Sequence, residues 1–78
     1  DTGAPLIAQV YTEGSLLILV MNEISTCEYS TTGFFNYGSG VQMTGPDSTT
    51  HEASLDSDVY YVICQDSVGN QGQYTIFV

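Results

Sequence analysis

Val59-Tyr60-Tyr61-Val62-Ile63-Cys64-Gln65, followed by Asp66-Ser67-Val68-Gly69-Asn70, is the stretch on which the reading of the fold turns. The first part is β-branched, aromatic and apolar, which is the composition of a strand. The second part is a hairpin loop, in which Gly69 or Asn70 suits a positive φ. Gln73 to Val78 reads as the returning strand. The same alternation of β-rich runs and turn clusters extends back through the chain. Pro5 to Thr12 is a first strand, with Pro5 at a position that fits a sheet edge. Glu13-Gly14 turns the chain into Ser15 to Asn22, and Glu23-Ile24-Ser25 connects that strand to another at Thr26 to Thr31. After Thr32-Gly33, Phe34 to Tyr37 and Val41 to Met43 are weaker pieces broken by Gly38-Ser39-Gly40. Gly45-Pro46-Asp47 is a strong turn signal, Thr49 to Leu55 is a further strand, and Asp56-Ser57-Asp58 leads back to Val59. No segment spaces apolar residues at helical intervals with matching propensity. About seven short strands, with turns about every ten residues, predict an all-β Greek-key β-sandwich.

Residues 1–78 leave room for one domain. A domain this small buries a limited core, so a staple is expected. Nine acidic residues stand against no Lys or Arg, where ordinary usage of about 25% charged residues predicts a comparable number of bases. Such a surface has nothing to contact phosphates, which excludes nucleic-acid binding, and it does not dock on anionic lipid. A phosphoryl-transfer site would lack its usual cation. The longest apolar run, Leu16 to Met21, is far short of the roughly 20 residues that span a bilayer. The start at Asp1 rather than Met reads as processing, or as excision from something longer. Cys27 and Cys64 do not form a CxxC pair, and His51 alone cannot complete a zinc site with them. A single disulfide in an oxidising compartment is the simplest reading, with two buried thiols as the alternative. Together these features predict an extracellular, cell-surface location.

The last third carries a resemblance. Tyr60-x-Val62-x-Cys64-x-Asp66-x-x-Gly69-Asn70 resembles strand F and the F–G turn of bacterial and archaeal extracellular immunoglobulin-like and fibronectin type III-like repeat modules. Thr26-Cys27-Glu28-Tyr29-Ser30-Thr31-Thr32 resembles strand C of a subset in which a strand-C cysteine is matched by one in strand F. The resemblance implies that Cys27 and Cys64 lie across adjacent strands and are bridged. Closing a loop of about 38 residues contributes roughly 4 kcal/mol in the chain-entropy account. The chain has no Trp, which departs from the antibody-type domain.

Four sets of candidate residues follow. Ser, His51 and Asp all occur, but nothing places an activated serine or an oxyanion hole beside His51, so no catalysis is expected. The Greek-key order would gather Asp1, Glu23, Asp47 and Asp66 at one end, and Glu13, Asp56 and Asp58 at the other. The first group is a candidate calcium site, since no acid here has a basic partner, against the alternative of solvated turn carboxylates. The Tyr and Phe residues could form a carbohydrate platform but more commonly fill a core. Finally, Leu16 to Met21 and Val59 to Cys64 are apolar on both parities, where a half-buried strand alternates. If Tyr60, Val62 and Cys64 point inward, then Val59, Tyr61 and Ile63 point out, as does one parity of the earlier strand: Leu16, Ile18 and Val20. These six are the candidate assembly interface, against the alternative of scattered exposed side chains. The function expected is a non-enzymatic subunit of a surface filament, pilus-like, or of an array. Neighbouring copies or domains would cover these faces, and the strand at residues 5 to 12 is available for donation. The rival is an adhesive or ligand-binding repeat of a larger surface protein.

Overall fold

The computed structural model describes residues 3–45 and 47–78. It contains β1 (Ile7–Glu13), β2 (Leu16–Ser30), β3 (Val41–Gln42), β4 (Ser48–Ser54), β5 (Val59–Gln65) and β6 (Gln71–Phe77). All pairings are antiparallel, and no helix occurs among the described residues.

β5 has the bounds expected of it, set by Asp58 and Asp66 on either side of an apolar run. β2 does not match expectation. The connection expected at Glu23-Ile24-Ser25 is not a break: one strand of 15 residues runs through it. Its first half pairs with β1 on one side (Val10↔Leu19, Thr12↔Leu17) and β4 on the other (Leu17↔Ala53, Leu19↔His51). Its second half pairs with β5 (Cys27↔Cys64, Tyr29↔Val62) and with β3 (Tyr29↔Val41). The register with β4 slips between Val20 and Ser25, and such an irregularity lets a strand bend from one set of partners to another. Ser25 is polar yet buried at this bend, because its hydroxyl lies 3.2 Å from His51 Nε2.

The backbone path β1-β2-β5-β6 curls, and the Tyr74 hydroxyl of β6 donates to the carbonyl of Pro5 in the segment leading into β1. Inside the curl lie Leu17, Leu19 and Met21 of β2, Tyr60, Val62 and Cys64 of β5, and Met43, Ala53 and Ile76. Each large apolar side chain buried there contributes roughly 1.5–3 kcal/mol. Cys27 and Cys64 are joined by a disulfide between directly paired positions.

Turn chemistry fixes the ends. β1 and β2 meet at a two-residue loop, Gly14-Ser15, with Gly14 at φ +60° and Ser15 on the negative side, the arrangement of a type II′ hairpin. Phe34 to Tyr37, expected as a weak strand, is irregular. The segment folds back over β2 and β5 instead: the amides of Gly38 and Gly40 donate to the Glu28 carboxylate at 2.7 and 3.2 Å.

Candidate functional site

Of the expected outward residues, two are covered within a single chain. Ile63 is 1% exposed and Ile18 is 5% exposed. Ile63 lies between its cross-strand partners Glu28 and Gln73, on the face over which the segment around residues 33–40 folds. Ile18, on the central strand of its half, is flanked by Tyr11 and Glu52. Residues on a central strand are shielded by neighbours on both sides, so an apolar outward position there need not meet water. Val59, Tyr61, Leu16 and Val20 are half-buried. The Phe34 ring stands edge-on to Tyr61 at 4.9 Å, and Val59 pairs with the exposed Phe77, so an apolar patch survives at this end of β5.

The acidic residues are arranged by turns. Asp66 caps the β5–β6 hairpin: its Oδ1 accepts the amides of Val68 and Asn70 at 3.0 and 2.9 Å, and its Oδ2 accepts the Asn70 side chain at 2.9 Å. Burial opposes the charge, yet these bonds, with the Glu23 carboxyl, hold Asp66 below its ordinary range. Asp47 has φ +53° and its amide donates to the Thr26 hydroxyl at 3.1 Å. Asp1 lies outside the described residues. Among the described residues no three His, Cys, Asp or Glu side chains are placed to hold a metal ion. The carboxylate lone pairs of Asp66 that calcium would need are engaged in shaping the loop.

His51 belongs to β4 and is fully buried. Nδ1 lies 3.3 Å from the Thr44 carbonyl, which can only accept, so Nδ1 carries the proton and Nε2 receives the Ser25 hydroxyl. Burial keeps the imidazole below its usual value, against a smaller upward pull from the Thr44, Ser48 and Gly45 carbonyls. Ser25 Oγ in turn lies 3.9 Å from Cys27 Sγ. The arrangement is a closed buried network beside the disulfide, with both ring nitrogens occupied.

No family model, curated protein or solved structure matches the chain. Its own surface carries the functional reading. An open cleft of about 280 Å³ lies beside β3, lined by Tyr29, Phe35, Val41 and Asp56 among others. Burial pushes the Tyr29 hydroxyl upward, with Asp56 and Tyr60 adding to the effect. β1 is an exposed edge strand, at the position expected for the first strand. Every residue of it beyond Ile7 is exposed, including Val10 at 40% and Tyr11 at 38%, and Leu6 just before it is exposed as well. In the sequence the backbone of this strand stands out for donation, but its exposed side chains Val10 and Tyr11 do not. The signal that could have found them is the absence of any further strand able to flank the first one in the chain order.

Proposed function

We propose that this chain is a non-enzymatic structural module of an extracellular surface, an immunoglobulin- or fibronectin III-like β-sandwich. It associates with copies of itself as a subunit of a pilus-like filament or an array. The observation that carries the reading is the set of large apolar side chains left uncovered around a completed core, among them Val10, Tyr11, Phe34 and Phe77. The fold assignment is supported by the pairing pattern. With the halves of β2 read as strands B and C, β1 and β4 flank the first as A and E, while β5 and β6 follow the second as F and G.

Tyr60 gives a second support. Its hydroxyl donates to the Ser54 carbonyl at 2.6 Å and accepts the Asp56 amide at 2.8 Å, which resembles the corner tyrosine of such sandwiches. The antibody form places that tyrosine two residues before the strand-F cysteine, whereas Tyr60 precedes Cys64 by four. The disulfide fits an oxidising compartment. No helix among the described residues is long and apolar enough to cross a membrane. The non-enzymatic part of the reading is supported by His51, whose ring is enclosed and hydrogen-bonded at both nitrogens.

Light scattering and negative-stain microscopy across a concentration range test the reading. Fibres or growing oligomers are expected; a monomer at every accessible concentration would sink it. The cleft beside β3 favours the second reading, an adhesive module, in which aromatic side chains and Asp56 would contact a ligand and the protein would stay monomeric while binding it.

A further inference from the structure

We propose that the free edge of β1 is the surface through which one copy of this chain pairs with a second, β1 against β1 in antiparallel sense. The inference rests on the self-associating reading above and names its contact.

The first observation is where the charges lie. Thr2 to Thr12 and Ser67 to Val78 contain no acidic residue; apart from Asp1, every acid falls between Glu13 and Asp66. Those two neutral stretches hold β1 except for Glu13, and all of β6, the end strands of the curled sheet; Tyr74 of β6 donates to the carbonyl of Pro5, two residues before β1. In a molecule of formal charge −9, the free edge of β1 from Ile7 to Thr12 thus carries no carboxylate. Two copies repel wherever acid meets acid, and this edge is where they approach without that opposition. A basic partner would prefer any other side, so the charge pattern singles out a second copy as the occupant.

The second observation is the state of the edge. β1 pairs only with β2 among the described residues, so its other side carries a row of backbone donors and acceptors with no strand against it. Sheet edges are ordinarily blunted by Lys, Pro or inward charges. Ile7–Glu13 has none of these beyond Glu13 at its end and an irregularity between Ile7 and Gln9. Val10 and Tyr11, exposed on opposite faces of the strand, would each gain a cross-strand neighbour from an added strand.

The third observation sets the direction. Antiparallel pairing centred on Val10 places Gln9 opposite Tyr11, Ala8 opposite Thr12 and Ile7 opposite Glu13, which puts the two Glu13 carboxylates at opposite ends of the ladder. Parallel pairing would set them side by side. A two-fold contact of this kind closes a dimer. Growth into a filament then needs a second surface, and the apolar patch of Phe34, Val59, Tyr61 and Phe77 is available for it.

The test uses the whole chain with its disulfide intact. Val10→Glu and Tyr11→Glu each place like charges across the dyad, and sedimentation equilibrium should show the dimer constant weakened about tenfold or more. Tyr61→Ser, on the β5 face, should leave the dimer constant unchanged while reducing growth beyond dimers. Amide exchange on the unmodified chain covers the case in which a variant misfolds: protection at Gln9 to Thr12 should rise with concentration. An unmodified chain that associates with unchanged β1 protection, or whose dimer is lost in Tyr61→Ser but kept in Val10→Glu, overturns the edge proposal and leaves the self-associating reading standing. A chain that never associates overturns both.

Discussion

β1 and β5 are each seven residues long, each antiparallel, and each supplied with Ile, Val and Tyr, yet β5 buries four of its side chains and β1 none. The difference is one of place. β5 has β2 on one side and β6 on the other, the core beneath it and the segment around Phe34 above. β1 has β2 alone. A ladder of backbone bonds is enough to hold a strand in a sheet, but burial depends on what flanks it, and the stability a residue contributes follows burial.

The comparison can be broken most forcefully at the disulfide, which ties β5 to β2. Replacing both cysteines by Ala should cost about 4 kcal/mol in denaturant unfolding. A loss below about 1 kcal/mol would mean that packing alone secures β5. A middle-sized effect is expected at Tyr60→Phe. The change removes the hydroxyl shared by the Ser54 carbonyl and the Asp56 and Ser57 amides, while the Asp56 amide keeps its bond to the Ser54 carbonyl, and should lower stability by about 0.5–1.5 kcal/mol without altering core volume. A neutral result would show that water replaces the hydroxyl. The smallest effect belongs to β1. Val10→Ala, measured under conditions that keep the chain monomeric, should stay within about 0.5 kcal/mol, while Val62→Ala on β5 removes the same atoms at a cost of about 2 kcal/mol. Equal costs at the two positions would erase the distinction between the strands.

Much of the fold was legible in the sequence, and the exceptions have physical causes. β5 stood out because an apolar run ends at acids on both sides. Strand content elsewhere followed from β-branched residues and turn clusters. β2 was read as two strands because Asn22, Glu23 and Ser25 look like a loop. The polarity of Ser25 is satisfied by His51, 26 residues away, and no local pattern reveals such a partner. Similarly, Ile18 and Ile63 have outward parity, and their cover comes from flanking strands and from a segment anchored by Glu28, a contact no local pattern reveals. Of the candidate calcium residues, Asp66 and Asp47 do fall at turns, as their sequence context implied; Asp66 bonds within its own hairpin loop, while the Asp47 amide donates to Thr26 of β2.

β2 also has a consequence for how the chain reaches this state. Four of the other five strands are hydrogen-bonded to it, and each half serves different partners. Its pairing with β1 is local, across a two-residue turn, and hairpins of that kind close in about 1–10 μs. Its pairings with β4 and β5 must bring in segments from far along the chain, and loop closure of that length delays them. In the early hairpin β1 buries no side chain and the apolar residues of β2 still lack their cover, so the fast step gains little stability, and the slow arrival of β4 and β5 at opposite halves of one strand commits the molecule. A bent strand shared in this way makes the two halves a single cooperative unit rather than two that fold in turn.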